Sequence, residues 1–198
     1  MAGVQVRLAA LGTSEDYVTG KLWRLASLAQ CPWHPRGGCG FCLHGYYERV
    51  KPPGTLTRRW RCPRMRGTVS ALPDCLAAHY SGTLEAIEAT VSAVEQARSL
   101  AAAVEGLRTD IELPGAVRYL TRLRRAVHKS LDIVRGLIPL RLVGLQPSVH
   151  EFATVLGAGS VLSGLREHVA RYLPQLPTPL GFNPRRMSVE PYPEPFQH

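Results

Sequence analysis

The reading of the fold turns on Cys31-Pro-Trp-His34-Pro-Arg-Gly-Gly-Cys39-Gly-Phe-Cys42-Leu-His44, which is answered downstream by Cys62-Pro-Arg-Met65-Arg. All five cysteines of the 198-residue chain lie between positions 31 and 75. An odd number with no secretion signal argues against a disulfide framework, whereas clustered Cys beside His in a reducing compartment points to metal. Zinc takes four soft or borderline donors in a tetrahedron, supplied by knuckles of the C-x2-C or C-x2-H type. Two residues three apart in a tight turn point at one centre, and glycine provides the φ angles such turns need. Two first knuckles compete here, Cys39-x2-Cys42 and Cys31-x2-His34. The second starts at Cys62, but its partner position holds Met65, whose thioether is a poor zinc ligand. The preferred set is Cys31, His34, Cys39 and Cys62, because Phe41-Cys42-Leu43 reads as strand and makes Cys42 a packing residue. A set with Cys42 in place of His34 is the alternative. The competing arrangement is a metal-free ribbon held by Trp33, Phe41, Tyr47, Trp60 and the thiols. Cys75 is expected to be buried and structural.

Outward from this segment, Leu43–Val50 and Thr55–Cys62 alternate around Pro52-Pro53-Gly54 and predict a β-hairpin. On the N-terminal side, Asp16–Gln30 allows a short helix with Val18, Leu22, Leu25 and Leu28 on one side. On the C-terminal side the pattern is helical from Ser81. Leu84, Ile87, Val91 and Val94 recur at helical spacing. Ser99 suits the N-cap of a short helix through Leu107, and a break begins at Thr109-Asp110. A longer helix is expected over 113–137, with Pro114 in its first turn and Pro139 ending it. Residues 148–173 supply one or two more helices around Gly157-Ala158-Gly159. The tail from Pro174 holds seven prolines and is expected to be extended and largely disordered. The expected class is α+β: a zinc-ribbon-like hairpin module, then a mainly helical bundle with a helix-turn-helix-like part. The expected segments are 1–30 helical, 31–75 ribbon, 81–173 helical and DNA-binding-like, and 174–198 Pro-rich tail.

The cysteine-rich segment resembles the zinc-ribbon regions of bacterial transposase-like proteins. In these a Cys/His knuckle leads into an H-G-x-Y strand, then an Arg-rich strand ending in cysteine, then a Thr-x-Ser-x-Leu-Pro exit. The matching residues are His44-Gly45-Tyr46-Tyr47, Arg58-Arg59-Trp60-Arg61-Cys62 and Thr68-Val69-Ser70-Ala71-Leu72-Pro73. The resemblance covers about residues 31–95, is looser over the helices, and departs at Met65, where the family pattern has cysteine. It implies a DNA-binding accessory or remnant of a mobile element, with a degenerate ribbon and no catalytic domain. As partners it implies DNA, and either a homo-oligomer or a larger transposition complex.

The formal net charge is +9 and the isoelectric point about 9.8, which suggests an anionic partner. The charge is localised. Arg49, Lys51, Arg58, Arg59, Arg61, Arg64 and Arg66 face one acid, Glu48, between His44 and Ser70. Between Arg118 and Arg135 six basic residues face one acid, Asp132. Within that second stretch Val117, Leu120, Leu123, Val127, Leu131 and Val134 share one helix face. Arg118, Arg122, Arg125 and Lys129 share the opposite one. These arginines and lysines are the expected nucleic-acid contacts, and Ser81–Lys129 reads as a helix-turn-helix variant whose basic helix is the reader.

No enzyme is expected. Glu85, Glu88 and Glu95 lie on one helix and Asp110 and Glu112 in a loop, so no acid follows an apolar strand as a two-metal nuclease core would need. No phosphate-cradling glycine-rich loop is present. No stretch approaches the 18 apolar residues of a membrane span. The segment MAGVQVRLAALGTSEDYVTG lacks a cationic start and is not read as a signal peptide, so the expected location is cytoplasmic. An interaction scaffold with the Pro-rich tail as docking segment is the alternative to DNA binding.

Overall fold

Val4, Val6 and Leu8 alternate with Gln5 and Arg7, and this period-two run forms β1 (Val4–Leu8). The computed structural model describes residues 3–9, 12–107, 113–157 and 159–183. The hairpin expected from the sequence is present as β2 (Cys42–Glu48) and β3 (Leu56–Cys62). A fourth strand, β4 (Gly67–Pro73), replaces the expected simple exit from the ribbon. The sheet order is β1-β4-β3-β2, with β1 parallel to β4 and the other pairs antiparallel.

The two sheet faces differ in chemistry. On one, Trp60 and Ala71 are buried with Ala26, and Val6, Leu8, Leu28 and Phe41 pack against them. On the other, Gln5, Ser70 and Arg59 stand side by side across three strands, and Thr57 pairs with Tyr47. The helix expected over Asp16–Gln30 is shorter. It runs as α1 (Ser14–Thr19), capped by Thr13 and Asp16, and a 3-10 turn at Leu22–Arg24 follows. Tyr17 and Trp23 are its buried residues and meet edge to face, while Leu25 points to solvent. The segment 1–30 is thus strand, helix and turn rather than helix alone. Its period-two run supplies a sheet edge that can bury Val6 and Leu8.

The helices follow as α2 (Leu84–Gln96), α3 (Leu100–Leu107), α4 (Leu113–Leu137), α5 (Pro139–Leu142), α6 (Val149–Leu156) and α7 (Val161–His168). Ser99 caps α3 through its hydroxyl, which accepts from the Ala102 N–H at 3.1 Å. The break expected at Thr109–Glu112 lies outside the described residues. The class is therefore α+β, as expected: a four-stranded sheet followed by mostly helical segments.

The main core draws on all four expected segments. Tyr17 and Trp23 join Leu72 and Leu76, the apolar faces of α2, α4, α6 and α7, and Leu173, Leu176, Leu180 and Phe182. Each such side chain contributes about 1.5–3 kcal/mol on full burial. Sheet and helices are thus continuous in their packing. The expectation for the tail needs correction over 174–183. There Leu176, Leu180 and Phe182 are buried, because the apolar residues between the prolines outweigh the extended bias of the prolines themselves. Gly181 makes this turn possible, since a Cβ there would fall 2.2 Å from the Leu176 carbonyl oxygen. Residues 184–198 lie outside the described residues.

Long-range polar anchors tie the elements together. The Glu88 carboxylate accepts from the Val161 and Leu162 N–H groups and the Ser160 hydroxyl, so it caps α7. Glu95 does the same for α6 through Val149 and His150, and pairs with His128 Nε2 at 2.7 Å. Arg166 is fully buried and donates to the carbonyls of Pro73, Asp74, Leu76, Pro179 and Leu180. It joins the end of β4 to the C-terminal turn.

Candidate metal centre

Cys31 and His34 lie in one tight turn, closed by the His34 N–H donating to the Cys31 carbonyl at 3.0 Å. Gly37, Gly38 and Gly40 then take positive φ and bring Cys39 back toward it. Cys62 ends β3 and enters the turn to β4, where the Arg66 N–H donates to the Pro63 carbonyl. The donor atoms of Cys31, His34, Cys39 and Cys62 all lie within 4.8 Å of one another. His34 Nδ1 is 3.6 Å from Cys31 Sγ and 3.5 Å from Cys62 Sγ. A tetrahedral zinc with Zn–S about 2.3 Å and Zn–N about 2.0–2.1 Å sets neighbouring donors roughly 3.5–3.8 Å apart. The donor set is therefore compatible with zinc in both chemistry and spacing, and it is the preferred set of the sequence.

The rejected candidates are also accounted for. Cys42 opens β2 and pairs with Arg61, so it lies outside the cluster; contrary to expectation it is also not a packing residue, because it stands on the exposed edge strand of the sheet. Met65 is exposed, but its N–H donates to Cys62 Sγ at 3.4 Å, a bond that stabilises a thiolate. Burial pushes the Cys39 thiol up, and contact with Cys31 adds to the rise. At Cys62 burial also acts upward, but the Met65 N–H and the neighbouring thiols outweigh it and hold the group below its usual value. Trp33 and Phe41 pack against the three buried thiols, while Trp60 belongs to the neighbouring cluster and Tyr47 is exposed. The Trp33 ring lies over Gly67, where a Cβ would come within 2.8 Å of it. Cys75 is buried in the main core, where burial pushes its thiol up to about 11.

The candidate nucleic-acid contacts fall into three groups. Arg49 and Arg58 face inward, contrary to expectation. Arg49 is 6% exposed and donates to the Ala77 and Tyr80 carbonyls, fixing the hairpin to the segment before α2. Arg58 donates to the Arg24 and Ala26 carbonyls and lies over Trp60. Carbonyls left by irregular chain between short elements need donors, and these two arginines supply them. Arg59 is intermediate, stacked 4.8 Å over the Tyr47 ring. Lys51, Arg61, Arg64 and Arg66 are exposed.

On α4 the sequence pattern is reproduced except at its start, where Val117 is half-buried and Ala116 is buried instead. Leu120, Leu123, Val127, Leu131 and Val134 are buried, while Arg118, Arg122, Arg125 and Lys129 are exposed on the other side. Among the described residues, no helix is long and apolar enough to cross a membrane. No family model matches the chain, and neither a curated protein nor a solved structure matches it.

Proposed function

We propose that this protein binds nucleic acid, duplex DNA above all, on a cationic surface steadied by a zinc ion held by Cys31, His34, Cys39 and Cys62. The observation that carries the reading is the α4 ridge. Four basic side chains, Arg118, Arg122, Arg125 and Lys129, are exposed along about three turns of a helix whose opposite face is buried. A rigidly packed helix holds these charges in fixed register, and duplex phosphates are the dense anions such a ridge suits. The hairpin supports the same reading. Arg61, Arg64 and Arg66 are exposed and flank Cys62, so a metal there fixes the turn that displays them. Zinc would act structurally, its binding energy holding a turn with little core of its own. The resemblance to transposase-like ribbons points to the same partner.

The test is fluorescence anisotropy of the full chain with a labelled random-sequence duplex at ~50 and ~200 mM salt. Binding at the lower concentration and steep loss at the higher is expected. Absence of binding at ~50 mM salt, where phosphate neutralisation is strongest, overturns the reading.

A further inference from the structure

The polar face of the sheet ends in a pocket of about 320 Å³, whose lining includes Gln5, Tyr47, Arg49, Lys51, Tyr80 and Ser81. This volume is at the lower end of small-ligand sites, which run from roughly 300 Å³ upward. It is the size class of one nucleotide rather than a larger coenzyme. Its chemistry is one-sided. Arg49 and Lys51 are both cationic, and no carboxylate is among its lining residues.

Arg59 is stacked on Tyr47, one of the pocket's lining residues.

Another lining residue, Gln5, carries a buried side-chain oxygen without a hydrogen-bond partner. Buried polar atoms are nearly always satisfied in a folded protein, so this oxygen marks a place where a bond is completed by something else. Arg49 is already held by two backbone carbonyls, which presents its guanidinium in a fixed position. A ligand that carries a compact anion, a hydroxyl donor and a flat ring matches this lining, which combines Arg49 and Lys51, Gln5, and Tyr47 and Tyr80.

We infer that this pocket binds the phosphomonoester end of a nucleotide, with Arg49 and Lys51 on the phosphate, Gln5 on a ligand hydroxyl, and the tyrosines beside the base. The ligand is either a free mononucleotide or the 5′-phosphorylated end of a strand. The inference does not rest on duplex binding.

Calorimetric titration of the full chain tests it, using AMP, adenosine, and a single-stranded decamer with a 5′-phosphate or a 5′-hydroxyl. The phosphorylated member of at least one pair is expected to bind tenfold or more tightly than its partner. Preference in the AMP pair identifies a free nucleotide as the source, and preference confined to the decamers identifies a strand end. Lys51→Glu, at an exposed position, is expected to abolish the preference, and Ser81→Asp, also exposed, to do the same. Equal affinity within both pairs, or a preference that survives both substitutions, overturns the inference. Duplex binding at ~50 mM salt, retained while no phosphate preference is found, would remove the pocket and leave the proposed function standing.

Discussion

His34 Nδ1 stands 3.5 Å from Cys62 Sγ, although the two residues are 28 positions apart. The turn that carries Cys31 and His34 is thereby held against the end of β3, and Cys39 completes the group from a glycine-rich loop. Among the described residues, this cluster is the one place where three separate turns deliver metal-type donors to one point.

Thiol reactivity reads this arrangement directly. With zinc bound, one cysteine, the exposed Cys42, is expected to react quickly with a thiol reagent. Chelation should release three more, Cys31, Cys39 and Cys62. Cys75, buried and raised to about 11, should react only on unfolding. Fast reaction of four cysteines before chelation would contradict the assignment.

Arg166 is expected to be a keystone of stability rather than of binding. Arg166→Met leaves four buried carbonyls and the half-buried Asp74 carbonyl without their donor. A loss of about 3–5 kcal/mol is expected, which lowers the thermal midpoint by roughly 10 °C. Denaturant unfolding with a loss under ~1 kcal/mol would show that the C-terminal turn does not depend on it.

Glu95 gives stability a pH dependence. Burial pushes its carboxyl up, but the His128 contact and the Val149 and His150 N–H groups outweigh this and hold it below the ordinary 4.5. A carboxyl depressed on folding stabilises fully above its unfolded value and loses that contribution as pH falls through its folded value. Glu95→Gln should therefore be less stable than the parent at neutral pH, and the gap should close below about pH 4.5. A gap that stays constant from pH 7 to pH 3 would contradict the role.

The α4 ridge should act through charge and not through folding. Arg118→Ala with Arg125→Ala changes exposed side chains, so stability should move by no more than about 0.5 kcal/mol per site. Duplex affinity should fall, and the slope of log affinity against log salt should shrink by about 2, one phosphate contact per arginine. An unchanged slope would place the DNA elsewhere on the surface.

Much of this was legible from local pattern. The hairpin, the α4 boundaries and the buried stripe of α4 follow from alternation and helical spacing, which are properties of neighbouring residues. The choice of Cys31, His34, Cys39 and Cys62 over a set with Cys42 rests on reading Phe41-Cys42-Leu43 as strand; the strand is present from Cys42 onward, but Cys42 is exposed rather than packed. What local pattern does not contain is long-range pairing. β1 and β4 read as an apolar run and an exit because their partnership, Val4 with Val69 through Leu8 with Pro73, joins distant segments. Arg49, Arg58 and Arg166 look like any surface arginine until the carbonyls they serve are brought beside them. The proline count of the tail hid Leu176, Leu180 and Phe182, whose burial depends on a site made by α4 and α7. The pocket between the β2–β3 turn and Tyr80 has no linear signature at all.

The most direct test of the metal-held hairpin is the zinc content of chain purified without chelator, measured by elemental analysis beside Cys62→Ser. One zinc per chain in the parent and almost none in the variant is the predicted result. A parent chain that carries no zinc and takes none up when it is supplied would contradict the account.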